Sequence, residues 1–218
     1  MKYIYHHLGL GDHISCHGIV RHFSEIEDKI CLFIKPHNLD NVKRMFSDIN
    51  NIDYIVGDDN FVNDYISKNK INNLIKVGFD LNKTDNFELQ FYNMANLPIE
   101  FKYTKFHVER NYDKEIEIFN SLSLKKNEYI FVHDGGYEIN ETLYPKDIQI
   151  VKPNDHGLFD WMYVIENAKE IHCIDSSFIC LIDCMNLPNI PLNNHRYVRK
   201  YPDYIKLYTT KNWKFIEQ

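Results

Sequence analysis

The sequence predicts an α/β protein made of two doubly wound parallel-sheet halves in tandem. Three observations predict it. Short runs rich in aliphatic and aromatic residues alternate with segments of helical periodicity. Several of these runs are apolar at nearly every position, as strands buried on both faces of a parallel sheet require. The alternation also stops between residues 78 and 111 and then starts afresh, so a layout is repeated without a sequence repeat.

The elements follow in order. Residues 2–8 form a strand that meets Gly9-Leu10-Gly11-Asp12, and Ile14, Ile19, Val20 and Phe23 mark one face of the helix after it. Residues 29–35 form a second strand, stopped by Pro36. Leu39, Val42, Phe46 and Ile49 recur at helical spacing. Residues 53–57 and 73–77 read as two more strands around a short helix marked by Phe61, Val62, Tyr65 and Ile66. The link between the halves holds one helix, residues 87–94, before Pro98. The second half opens with a charged helix, 112–122. Strands follow at 128–133, 147–151 and 170–174, with a helix face of Leu158, Trp161, Met162 and Ile165 between the last two. The third strand meets Asp175-Ser176-Ser177 and a helix to Met185. From Asn193 the chain is polar, aromatic and basic, with no readable period. This gives a Rossmann-like domain over 1–104 and a second over 105–218.

Composition narrows the function classes. With 218 residues, 44% hydrophobic and 26% charged, the chain is globular. A net charge of −6 without a dense basic run argues against duplex nucleic acid as partner. No stretch approaches 18 uncharged apolar residues, so no membrane span is expected, and no signal peptide is read at residue 1. Five cysteines without a CxxC pair suit reduced thiols and a cytoplasmic location rather than a disulfide framework or zinc knuckle.

Ligands of open parallel sheets bind beyond the carboxyl ends of the strands. Three turns there carry polar or glycine residues: Gly9 to His13, His133-Asp134-Gly135-Gly136, and Asp175-Ser176-Ser177. If the strand ends of the two halves face each other, these turns surround one cleft. Asp12 either caps its helix or takes a proton from an attacking hydroxyl. Gly9 and Gly11 allow close backbone approach to a ligand. His13 and His17, four apart on one helix, face the same region, but a metal would need a third ligand, and none is expected. The motif is neither GxGxxG nor a Walker loop. Asp175, Ser176 and Ser177 exceed what one cap needs, and with Phe178 they form a helix N-terminus suited to phosphate. His133 and Asp134 end a strand before two glycines. Lys146, Lys152, His156 and Arg199 are candidate cations for a diphosphate.

These residues resemble the GT-B glycosyltransferases, and most of all the ADP-heptose:lipopolysaccharide heptosyltransferases of glycosyltransferase family 9. That family's LGD or MGD turn is matched by Leu10-Gly11-Asp12. Its late Asp-[ST]-Gly turn is matched by Asp175-Ser176-Ser177, with Ser in place of Gly. Small sugar-transferase-like proteins of AT-rich bacteria and giant viruses are also similar at the HHLGLGDH start, the VHD turn and residues 170–178. The resemblance implies a compact GT-B architecture and a metal-independent, inverting transfer of a sugar from a nucleotide-diphosphate donor to a hydroxyl acceptor such as a glycan. It implies Asp12 as base, a donor held by the second half, an acceptor on the first, and no cofactor. The chain is shorter than a usual two-domain transferase, and no Arg or Lys lies near His133 in sequence. The alternatives are a non-catalytic nucleotide- or glycan-binding module and a nucleotide-sugar epimerase on the same layout.

Overall fold

The computed structural model describes residues 1–199 and 201–217. The chain divides into two compact units. Unit 1 comprises Met1–Glu109 with Pro202–Tyr208, and unit 2 comprises Arg110–Tyr201 with Thr209–Gln218. Each holds one all-parallel sheet, so the expected pair of Rossmann-like halves is present.

Unit 1 runs β1 (Lys2–Tyr5), α1 (Leu10–Ser15), α2 (His17–Ile26), β2 (Ile30–Ile34), α3 (Leu39–Met45), β3 (Ile52–Val56), α4 (Asp59–Lys68), β4 (Leu74–Lys76), α5 (Phe87–Met94) and α6 (Phe101–Thr104). Its strand order is β3-β2-β1-β4. All five residues of β2 are buried, which is why that run is uninterruptedly apolar. The order reverses between β1 and β4, whose register pairs Tyr5 with Lys76.

The helix expected after the first turn is two helices. The His17 imidazole donates through Nδ1 to the Ile14 carbonyl at 2.5 Å. In an unbroken helix that carbonyl would serve the Gly18 amide, so a side chain inserted in the ladder interrupts it at Cys16. Gly18 then brings α2 onto α6. A Cβ there would stand 2.3 Å from the Phe101 carbonyl oxygen, which is backbone and cannot swing away. Gly18→Ala is therefore expected to destabilise unit 1 by about 1–3 kcal/mol, the usual cost of overpacking. A urea melt with an unchanged midpoint would show that the two helices separate freely.

Residues 202–208, from the stretch left unassigned by the sequence, complete unit 1. Glu88 and Lys102 are both fully buried and pair at 2.9 Å. The Tyr208 amide donates to Glu88 Oε2 at 2.7 Å, while the Tyr208 carbonyl accepts from Lys102 Nζ at 2.7 Å and Tyr103 Oη at 2.9 Å. Asn86 donates to the Lys206 carbonyl. The Ser15 hydroxyl takes the other Glu88 oxygen at 2.5 Å. A buried ion pair is tolerated only when its remaining donors and acceptors are met in this way.

Unit 2 runs α7 (Tyr112–Ser121), β5 (Tyr129–His133), β6 (Gln149–Val151), α8 (Met162–Glu166), β7 (Glu170–Cys173), α9 (Ser177–Cys184), β8 (Leu192–His195) and β9 (Trp213–Ile216). Leu158–Trp161, expected as helix, is a 3₁₀ turn leading into α8. The order is β6-β5-β7-β8-β9, and it reverses between β5 and β7. β8 and β9 lie where the sequence offered no strand. β8 reads Leu-Asn-Asn-His, polar yet fully buried, because its side chains are hydrogen-bonded. Asn193 donates to Glu170 at 2.8 Å, Asn194 donates to Asp175 at 2.7 Å, and His195 meets His172 at 2.8 Å.

Candidate functional site

Ligands of doubly wound sheets gather where strand order reverses, outside the carboxyl ends of the strands. Each unit has one such point, and the polar turns singled out from sequence lie at both.

In unit 1 the point lies beyond β1 and β4. Gly9 caps α1 with extended backbone, and Asp12 is the third helical residue. The Asp12 carboxylate accepts from the Gly9 and Asp12 amides, so it does some of a cap's work. Gly9 is the residue that leaves room for it, since a Cβ there would lie 2.6 Å from Asp12 Oδ2. Asp12 stays partly exposed, as does Gly11. Burial pushes its pKa up to about 6, with Glu88 adding to the rise and the His7 charge and the two amides opposing it. A carboxyl at that value is ionised at neutral pH yet basic enough to take a proton.

His13 and His17 stand apart from Asp12 in character. Both are buried, at 1% and 0% exposure, and they belong to different helices. His13 packs edge-on against His6, with ring centroids 4.3 Å apart, and neither of its nitrogens has a hydrogen-bond partner. His17 packs edge-on against Phe106. Burial lowers the pKa of both, His17 to about 3. The exposed histidine whose charge Asp12 feels is His7, which the sequence reading left out. Its position two residues before Gly9 was the available signal. Among the described residues, no group of three or more His, Cys, Asp or Glu could hold a metal.

In unit 2 the point lies beyond β5 and β7. Ser176 is the N-cap of α9, but its side chain makes no capping bond. Its Oγ instead meets His133 Nδ1 at 3.0 Å. Burial lowers His133 to about 4, with Arg199 adding to the drop and Asp134 opposing it, so the ring is neutral at pH 7. When the Ser176 hydroxyl donates to Nδ1, the ring proton sits on Nε2, which becomes a donor. Asp175 is also occupied elsewhere. It accepts from Asn194, and Arg196 approaches it at 3.7 Å. Burial raises its pKa against those partners. The capping role open to Asp175 and Ser176 is thus filled by neither side chain.

The cation that is missing near His133 in sequence comes from elsewhere in the fold. Lys152, just beyond β6, pairs with Asp134 at 2.7 Å. Against desolvation, that ammonium and the Gly136 amide hold Asp134 below the usual carboxylate range. Arg199 donates to the Asp175 carbonyl at 2.6 Å. Gly135 and Gly136 turn the chain with φ of +60° and +83°. The result is a cavity of about 260 Å³ lined by His133, Asp134, Gly135, Gly136, Lys152, Asn154 and Phe178, among others. A second cavity of about 350 Å³ shares Lys152 and is lined by Tyr137, Glu138, Glu141 and Tyr144. Ser177 opens α9 beside the first cavity's Phe178. Lys146 and His156 line neither cavity.

No family model matches the chain, and no curated protein matches by sequence. Solved structures do match by shape. The ADP-heptose lps heptosyltransferase II of E. coli superposes with a TM-score of 0.61 at 12% identity, over 99% of this chain and 90% of that one. A glycosyl transferase family 9 structure from Veillonella parvula DSM 2008 gives 0.58 at 10% identity, over 100% and 86%. The resemblance read from the turns is thus matched by the whole backbone: this chain has the GT-B fold of the heptosyltransferase-like glycosyltransferases.

Proposed function

We propose that the protein is a glycosyltransferase that moves a sugar from a nucleoside-diphosphate donor to a hydroxyl group, with inversion and without a metal. The observation that carries this reading is the division of chemistry between the two switch points. One holds a carboxylate tuned to about 6, and the other holds a cavity of about 260 Å³ with the Lys152 ammonium in its lining, beside a helix N-terminus whose cap side chain makes no capping bond.

Unit 2 takes the donor. Its diphosphate lies on the first amides of α9 and the hydroxyls of Ser176 and Ser177, with His133 Nε2–H and Lys152 as further donors. These groups meet the negative charge that grows on the leaving diphosphate, the largest single contribution in most such transfers. Lys152 and Arg199 supply the positive charge that a metal would otherwise bring. Unit 1 takes the acceptor. Asp12 removes the hydroxyl proton as the oxygen attacks the anomeric carbon from the face opposite the diphosphate, so one displacement inverts the centre. The reading of a non-catalytic module leans on the chain's short length and on the absence of a cation near His133 in sequence; the placement of Lys152 against Asp134 at 2.7 Å favours the transferase instead.

The donor site is tested by melting the protein with millimolar UDP, GDP, ADP and TDP. A nucleotide at a hundred times its Kd stabilises by about 2.7 kcal/mol, a rise of about 5–10 °C for a chain of this size. At least one of the four is expected to give it, and replacing Ser176 and Ser177 by Ala is expected to shrink it. No shift with any of the four would remove the donor site from unit 2.

A further inference from the structure

The second cavity of unit 2 has no part in the transfer as described, and its charge is unlike that of the first. The two share Lys152, whose ammonium already pairs with Asp134. Otherwise the lining brings two carboxylates, Glu138 and Glu141, and among the described residues no further cation. A wall of that charge repels phosphate and accepts N–H groups. Tyr137 adds an exposed aromatic ring.

The Tyr144 side chain on the same wall points to a ligand. It is only 9% exposed, with its ring packed among Ile130, Val132, Ile139 and Ile174 and edge-on to His172. A phenol so buried ordinarily finds a hydrogen-bond partner. Among the described residues no group bonds to this hydroxyl. Burial raises its pKa, and the charges of Asp134 and Glu141 add to the rise, so it is protonated and able to donate at neutral pH. Glu141 shares its turn. The Tyr144 amide donates to the Glu141 carbonyl at 3.1 Å, and Asn140 caps the turn by accepting from the Thr142 amide at 3.1 Å. The Asn140 amide in turn donates to the Tyr197 hydroxyl at 2.8 Å, which ties the turn to the chain after β8. One anchored turn therefore carries a hydroxyl donor and a carboxylate acceptor into the cavity.

That pair is the complement of one base. Guanine alone among the common bases presents an acceptor, O6, followed along one edge by two donors, N1–H and N2–H. Adenine and cytosine set a donor beside an acceptor. Uracil and thymine flank their single N–H with carbonyls, which a carboxylate repels. The donor's sugar must meet the hydroxyl that Asp12 activates in unit 1, so a cavity walled by unit 2 alone suits the donor's other end. We infer that this cavity takes the nucleobase of the donor and that the base is guanine: the Tyr144 hydroxyl donates to O6, the Glu141 carboxylate accepts N1–H and N2–H, and Tyr137 offers a stacking face. This rests on unit 2 taking the donor.

Calorimetric titration of the full chain with GDP, IDP, ADP and UDP tests it. GDP is expected to bind tightest. IDP keeps O6 and N1–H but lacks the 2-amino group, and is expected to bind about 10–100-fold more weakly, the usual loss of one hydrogen bond to a charged group. ADP and UDP are expected to be weaker still, because a site built to bond an N–H rejects a ligand without it. Glu141→Gln, at an exposed side chain that leaves packing alone, is expected to cost GDP about 10–100-fold and to leave ADP and UDP unchanged. Tyr144→Phe is expected to cost GDP about 2–10-fold, the share of a neutral hydrogen bond. ADP or UDP binding as tightly as GDP, or an unchanged GDP affinity in Glu141→Gln, overturns the guanine assignment while the donor site stands. No binding by any of the four nucleotides removes the donor site itself and this subsite with it, so the two failures are told apart.

Discussion

Asp12→Asn is expected to lower sugar transfer by about 10²–10⁴-fold, the usual share of a positioned base. The fold should survive it. The Asn carbonyl oxygen can still accept from the Gly9 amide, and the change removes a partly buried charge rather than leaving one unpaired. Melting temperature and circular dichroism therefore stay near the wild-type values while rate collapses. The pH profile gives a second reading of the same residue. A base must be ionised to act, so kcat/KM is expected to climb as pH rises through about 6 and then level off. Asp12→Asn flattens that limb in whatever activity remains. A variant that transfers normally would leave Asp12 as no more than a helix-end acceptor.

The second large effect concerns stability. His6, His17, His172 and His195 are buried at 0–1% exposure, and burial lowers each to about 3 or 4, against an ordinary value of 6.5. His13 is lowered well below that value too, again by burial. The unfolded chain binds more protons than the folded one at these sites between about pH 4 and pH 6.5. Stability is therefore complete above 6.5 and falls as pH drops through that window. At pH 5 each such histidine costs about 2 kcal/mol, on the order of 1.4 kcal/mol per unit of difference. Against a total of about 5–15 kcal/mol, four or five such sites remove a large share of the stability near pH 5. Asp12 and Asp175 work the other way, since a raised carboxyl pKa favours the folded state as pH falls, but they are two groups against several. A fluorescence or circular dichroism titration at fixed temperature measures this. A chain still folded and cooperative at pH 4 would show that the imidazoles reach solvent or partners.

The parts of the fold that the sequence disclosed are those where hydrophobicity follows the local period. β2 is apolar throughout because both its faces are covered, and α5 was bounded correctly because Asn86 caps it and Pro98 lies beyond its end. β8 was hidden for the opposite reason. Its Asn, Asn and His are buried through hydrogen bonds to partners about twenty residues earlier, and a pattern of hydrophobicity cannot register such pairing. The break at Cys16 was hidden because it depends on one imidazole turning back to a carbonyl. All three polar turns at the two switch points are visible as motifs. What completes them is not. Lys152 meets Asp134 across two strands, and His7 is seated by Gly78, seventy-one residues away.

The order in which a ribosome delivers this chain sets a constraint on unit 1. Residues 1–109 emerge long before 202–208, yet the Tyr208 amide and carbonyl close the Glu88–Lys102 pair. Until residue 208 is delivered, a carboxylate and an ammonium destined for a dry interior still lack the two hydrogen bonds of Tyr208 and keep their water. A nascent chain stalled before residue 202 would therefore leave unit 1 unsealed and open to proteases and chaperones.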